Sequence, residues 1–337
     1  MRAIISAITA LTTIITSAFV YADTTAPKEL AYDLRLTDYP YPYEVKFHRF
    51  HSQEKTLEMA YMYLPPQNQN AVVTLLHGKN FNGAYWKQTA HYLHQKGYGV
   101  LIPDQIGFGK SSKPKHYQYS FSALANNTRN LMTSLGISKT IVIGHSMGGM
   151  LATRFALSYP QQTSKLLLVN PIGLENYLHY VEYKDVNFFY QNELTLNAEK
   201  IKRYQQKNYY DGKWNATYDS LTNPLVGWVQ GPHWKDIAYV NALTYDMLFT
   251  QPVVEEFGDL SVSAALILGT RDRTGPGRNW MKPGVKYELG RYDQLGDRIQ
   301  QRNQSIEIFE LKDLGHLPQI EDFERFKAVL HKTLSSK

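Results

Sequence analysis

One serine in this chain stands where a hydroxyl can become a nucleophile. Gly144-His145-Ser146-Met147-Gly148-Gly149 matches G-x-S-x-G. It lies between a short apolar run, Thr140 to Ile143, and a stretch patterned as a helix, Met147 to Tyr159. In that strand–turn–helix setting the glycines permit a sharp turn that lifts Ser146 above a sheet edge. The following helix aims its first amides at the reacting oxygen. A serine hydroxyl also needs a base within hydrogen-bond reach. Of the 11 histidines, His316 is the candidate, because Leu314-Gly315-His316-Leu317-Pro318 follows the last expected strand. His145 is pinned beside Ser146, His77 ends an inner strand where a structural bond is expected, and His91 and His94 share a helix face. The base in turn needs a carboxylate to hold its tautomer. Asp272 lies just past a buried run ending at Leu268-Gly269; Asp259 precedes that run and so sits at the wrong end. Asp313, three residues from His316, is the main rival, and pairing with Arg271 or Arg273 is the structural alternative for Asp272.

Those residues require a sheet whose strands all end on one side. Tyr43 to Phe50 and Thr56 to Leu64 alternate as a hairpin, and 23–43 reads as an irregular lead-in. Ala71 to Leu76 is a continuous apolar run, suited to a strand buried on both faces. Strand and helix then alternate: helix Ala84 to Lys96, strand Gly99 to Ile102, helix Ser120 to Leu135, strand Thr140 to Ile143, helix Met147 to Tyr159, strand Lys165 to Val169. This pattern predicts an α/β fold with a mostly parallel, doubly wound sheet. The alternation breaks after Pro171, and 172–255 is expected to be a helical cap inserted before the acid-bearing strand. Ala264 to Leu268 resumes the sheet, Ser305 to Phe309 ends it, and Ile320 to Leu334 is an amphipathic terminal helix. The core is then 23–171 together with 256–337.

Composition narrows the setting. Residues 1–22 read as an export signal: Arg2, an uncharged stretch from Ala3 to Val20, and small residues around Val20-Tyr21-Ala22. An uncleaved anchor is the alternative, although Ser and Thr dilute that stretch. The expected location is therefore periplasmic or secreted, with cleavage after Ala22 and no stable membrane association afterwards. There are 36 Lys and Arg against 30 Asp and Glu, a net of +6, and they are scattered. Nucleic-acid binding would need a concentrated basic stripe, and none is seen. With no cysteine in the chain there are no disulfides, thiolate chemistry or Cys-ligated metals.

With Ser146, Asp272 and His316 in that order, the chain resembles the α/β-hydrolase superfamily over nearly all of its length after the leader. It looks most like the capped branch of serine esterases and carbon–carbon hydrolases. Asp104-Gln105-Ile106-Gly107-Phe108-Gly109-Lys110-Ser111 resembles that branch's D-x-x-G-x-G-x-S loop, which would shape the site floor. The resemblance also implies an oxyanion hole from the backbone N–H of Met147 and one from Lys79 or Asn80, in His77-Gly78-Lys79-Asn80. That stretch departs from the His-Gly-Gly-Gly of some lipases, which argues for two donors and against bulky tertiary-alcohol esters; the Asn80 side chain is a weaker extra donor. Neither a metal-ligand cluster nor a dinucleotide fingerprint appears, so no cofactor is expected.

The expected function is hydrolysis of carboxylic esters. The alternatives are carbon–carbon, lactone or amide hydrolysis or acyl transfer on the same triad, and, further off, a non-catalytic binding protein. From Tyr177 to Phe249 there are 16 aromatics in 73 residues, against 13% in the whole chain. Such a cap predicts a small-molecule ester that is apolar or aromatic and of small to medium size, with charged substrates handled poorly.

Overall fold

The computed structural model describes residues 30–67 and 71–335; the expected leader lies outside them. A hairpin, β1 (Val45–Ser52) and β2 (Lys55–Leu64), leads into β3 (Val72–Leu76), α1 (Lys87–Gln95), β4 (Gly99–Pro103), α2 (Phe121–Ser134), β5 (Thr140–His145), α3 (Met147–Ser158) and β6 (Thr163–Val169). Four helices follow: α4 (Val186–Leu194), α5 (Ala198–Tyr209), α6 (Ala216–Gln230) and α7 (Trp234–Thr250). The chain returns through β7 (Ala264–Gly269), α8 (Tyr292–Arg302), β8 (Glu307–Leu311), α9 (Pro318–Glu321) and α10 (Phe323–Ser335).

The eight strands form one sheet in the order β1-β2-β4-β3-β5-β6-β7-β8. Only β2 breaks the parallel run, pairing antiparallel with β1 and with β4. Strands β3, β4, β5 and β7 are buried throughout, as expected for strands covered on both faces. Their side chains alternate between two cores. Val142, Leu166, Leu168, Leu266 and Leu268 face the core shared with α2, α3 and α8. Ile141, Ile143, Leu167, Val169 and Ile267 face the core shared with α1 and α10. This period-two alternation is what lets one apolar run serve two faces.

Three elements differ from the sequence reading. The last strand starts two residues late because the Asn303 side chain accepts the Ser305 N–H at 3.0 Å, closing a turn before the ladder can begin at Glu307. The terminal helix is broken at Asp322, whose carboxylate caps the Arg325 N–H of α10 at 3.1 Å. Helix α8 was not anticipated: its apolar residues are few, and Gly296 interrupts them so that the helix can approach Ile308, where a Cβ would come within 2.9 Å.

The lead-in is a strap. Tyr32 N–H donates to Gly227 O of α6 at 2.8 Å, and Trp228 Nε1 donates to Asp33 O at 3.0 Å. Leu36 is fully buried, and Lys110 Nζ donates to its carbonyl at 2.5 Å. The segment thus ties a helix of the insertion to the loop after β4.

Candidate active site

The C-terminal ends of the parallel strands converge on one edge, where ligands of open α/β sheets bind. Asn80 follows β3, Ser146 follows β5, Asn170 follows β6, Asp272 follows β7 and His316 follows β8.

Ser146 occupies the turn between β5 and α3 with φ 56° and ψ −123°, a backbone conformation that a non-glycine residue holds only where its surroundings enforce it. The enforcement comes from close packing. A Cβ on Gly144 would lie 2.1 Å from Gly148 O, and one on Gly148 would lie 2.3 Å from Leu76 O. Only glycines let the helix start this near the sheet.

His316 Nε2 lies 3.0 Å from Ser146 Oγ, and its Nδ1 lies 2.7 Å from Asp272 Oδ2. Asp272 is fully buried and accepts two further bonds, from Thr274 N–H at 2.7 Å and from Asn170 Nδ2 at 2.9 Å. Burial alone would raise its carboxyl. The charge on His316 and the bonds from His316 and Thr274 outweigh burial and hold it below the ordinary carboxylate range. Asp313, by contrast, is exposed and offers its backbone carbonyl to Arg271 Nε. The two arginines that could have claimed Asp272 pair elsewhere, Arg271 with Glu321 and Arg273 with Asp293.

Met147, the first residue of α3, carries one of that helix's unpaired N–H groups. In the loop after β3, Gly78 N–H donates to Tyr85 OH and Phe81 N–H to Gly78 O. The amides of Lys79 and Asn80 have no protein acceptor among the described residues. A Cβ on Gly78 would lie 3.1 Å from Ser146 Cβ, so the loop is pressed against the serine. The Asn80 side chain, named as a weaker extra donor, gives one of its two amide hydrogens to Tyr209 OH at 2.9 Å. Lys79 extends away from the sheet, its amine 5.2 Å from the Tyr245 ring, and burial lowers its pKa against the opposing pull of Glu193.

Four contributors escaped the sequence reading. Asn170 binds Asp272 while its Oδ1 accepts Gly269 N–H at 2.8 Å, locking β6 to β7; an Asn at the tip of a buried strand, before Pro171, was the available signal. Tyr209, from the end of α5, stacks on the His316 ring at 4.7 Å. Its neighbour in sequence, Tyr210, stacks instead on Tyr218, and nothing local distinguishes the two. Tyr85 and His145 form a relay. The Tyr85 hydroxyl lies 3.0 Å from His145 Nδ1, and His145 Nε2 lies 2.8 Å from the His316 carbonyl. Burial, reinforced by His316, keeps His145 well below its ordinary pKa. As a neutral ring it donates to that carbonyl and accepts from Tyr85.

The Asp104 loop is structural, as its motif implied. Asp104 accepts from Gly83 N–H, Lys110 N–H and Tyr41 OH at 2.6–2.7 Å. Above the edge, a cavity of about 870 Å³ is lined by Asn80 of the loop, by rings including Phe188, Phe189, Tyr204, Tyr245 and Trp280, and by charged side chains including Glu182, Glu193 and Lys200. Among the described residues no group of three or more His, Asp or Glu side chains is placed to hold a metal ion, and no helix is long and apolar enough to cross a membrane.

The alpha/beta hydrolase fold model matches residues 71–227. A solved structure of a probable hydrolytic enzyme from Pseudomonas aeruginosa is 43% identical, with a TM-score of 0.89, over 91% of this chain and 99% of that one. A 2-hydroxy-6-oxo-6-phenylhexa-2,4-dienoate hydrolase of Burkholderia cepacia is 34% identical over 124 residues, 36% of this chain and 43% of that protein. Lipase 3 of a Moraxella species is 34% identical over 154 residues, 44% of this chain and 48% of that protein. The chain thus spans less than half the length of these curated relatives. Sheet order, the turn that carries Ser146, and a 43% identical structure matched almost end to end agree: the chain belongs to the alpha/beta hydrolase fold family.

Proposed function

We propose that this protein is an exported serine hydrolase of carboxylic esters. The observation that carries the reading is the unbroken chain Asp272–His316–Ser146, whose serine sits on a strained turn beside unpaired backbone amides. His316 Nε2 takes the Ser146 proton as Oγ bonds to the ester carbonyl carbon. The carbonyl π electrons move to oxygen, which is held by the N–H groups of Met147 and of Lys79 or Asn80. The carbonyl reforms as the C–O bond to the alcohol breaks, and the alcohol leaves with the proton from His316. Water, deprotonated by the same ring, then releases the acid. Asp272 stabilises the imidazolium through Nδ1, and Tyr85 and His145 hold the ring's backbone in place.

The aromatic cavity supports small to medium apolar or aromatic esters. A fluorophosphonate probe should label wild-type protein and not Ser146→Ala, and p-nitrophenyl butyrate should be hydrolysed by wild type alone. Absence of both activities would overturn the reading in favour of a binding protein. The Burkholderia relative's name favours a second reading, carbon–carbon cleavage on the same triad. Turnover of a 2-hydroxy-6-oxo-dienoate with inert esters would select it. Export rests on residues 1–22, and intact-mass analysis of secreted protein should begin at Asp23; Met1 retained in a membrane fraction would sink it.

A further inference from the structure

A second cleft, of about 400 Å³, adjoins the aromatic cavity and shares Lys200, Tyr204, Tyr245, Asn279 and Trp280 with it. Five of the residues lining it are cations: Lys200, Arg203, Lys207, Arg273 and Arg278. No carboxylate lines it. One wall is a single face of α5, since Lys200, Arg203, Tyr204 and Lys207 fall at helical spacing i, i+3, i+4 and i+7, while Ile201, Gln205 and Tyr209 face inward. The facing wall is the loop after Asp272. Thr274 of that loop lines the cleft and donates its N–H to the Asp272 carboxylate.

Like charges spaced this way on one helix repel, and cations facing them add to the cost. Two cations are neutralised from outside the cleft, Arg203 by Glu199 and Arg273 by Asp293 at 3.4 Å. Lys200, Lys207 and Arg278 have no carboxylate within 4.0 Å among the described residues. Lys200 and Arg278 meet backbone carbonyls instead, those of Thr195 and Leu289.

We infer that this basic cleft binds an anionic group, a carboxylate or a phosphate, carried by the substrate whose apolar body fills the aromatic cavity. The shared wall is connected to the chemistry, because the Tyr204 ring lies 5.6 Å from that of Tyr209, which stacks on His316. A rim of cations, three of them with no carboxylate within 4.0 Å among the described residues, raises the local concentration of anions and speeds their arrival, by about tenfold or more at low salt. On this inference the preferred ester is negatively charged, where the cap's aromatics alone favour an uncharged one. The inference rests on the ester reading only in assigning the anion to an ester substrate.

Binding tests it separately from turnover. Calorimetry on the wild-type protein compares 4-phenylbutanol with 4-phenylbutyrate and 4-phenylbutyl phosphate, which share one aromatic body. Both anions should bind about tenfold or more tightly than the alcohol at low ionic strength, with the advantage shrinking in salt. The double variant Arg203→Glu/Lys207→Glu, at two exposed positions that line only the cleft, should lose the advantage and keep the alcohol's affinity. Tighter binding of the carboxylate would identify a small acid, and of the phosphate a headgroup-like ester. Equal affinities in wild type, or an advantage that survives the double substitution, would overturn the inference. Anion binding by a protein that hydrolyses neither neutral nor anionic p-nitrophenyl esters would remove the ester reading and leave the cleft standing.

Discussion

The catalytic triad at the sheet edge and the helical insertion differ in how completely their polar side chains are paired. At the edge, Asp272 accepts from His316, Thr274 and Asn170, and both ring nitrogens of His316 and of His145 have partners. In the insertion, among the described residues, buried Gln205 has no partner for either end of its amide and Tyr210 none for its hydroxyl, as Thr274 Oγ1 and the Gln319 amide have none nearer the edge, and three cations of the adjoining cleft lack a carboxylate. Buried polar networks that are fully satisfied are rigid, whereas unpaired groups cost free energy until something meets them. The triad's side-chain bonds are in place before substrate arrives, whereas those three cations of the cleft have no carboxylate to answer them. Chemistry should therefore respond steeply to small changes at the edge, and selectivity should respond to changes in the insertion.

The steepest break is at the edge itself. Ser146→Ala, His316→Ala and Asp272→Asn should each lower kcat by about a thousandfold or more, and the double variants should lose little beyond the singles. Melting temperatures near wild type would show that chemistry alone was removed. If Asp272→Asn kept turnover while Asp313→Asn lost it, the acid would be misassigned.

Tyr209 is where the two regions touch the same atom group. Tyr209→Phe keeps the ring on His316 and removes the acceptor for Asn80, so kcat/KM should fall by about tenfold or less. Asn80→Ala should be non-additive with it, with a coupling of about 1 kcal/mol. Additive effects would mean that the insertion does not brace the loop after β3.

Selectivity should answer to the aromatic cavity. From p-nitrophenyl acetate upward, each methylene should raise kcat/KM by up to about fourfold until the cavity fills. A flat series would assign the four cavity rings of the insertion, Phe188, Phe189, Tyr204 and Tyr245, to packing alone.

The smallest effect lies on the seam. Lys113 donates to Gly109 O at 2.5 Å beneath the Trp228 ring of α6, and burial pushes its amine down to about 7. Because the folded value lies below the unfolded one, the unfolded chain binds the extra proton between pH 7 and about 10.5. Stability from this site therefore rises with pH across that window, by at most about 1.4 kcal/mol per pH unit. Lys113→Met should flatten that slope in urea titrations at pH 7, 8 and 9, with the proposed hydrolytic activity little changed.

Much of this is legible in the sequence by itself. The elbow around Ser146, the parallel sheet and the order Ser146, Asp272, His316 follow from local constraints: apolar runs of strand length, glycines at a turn, charged residues just past strand tips. Those signals are short-range, so one stretch of sequence contains them whole. The scattering of Lys and Arg along the chain, by contrast, says nothing of where they meet in space. Lys200, Lys207, Arg273 and Arg278 lie on two segments some 70 residues apart, and only the packing of α5 against the loop after β7 gathers them round one cleft. The same holds for Asn170 on Asp272 and for Tyr209 on His316. A side chain's partner across a fold depends on where two distant elements come to rest, and no local pattern of spacing or hydrophobicity encodes that.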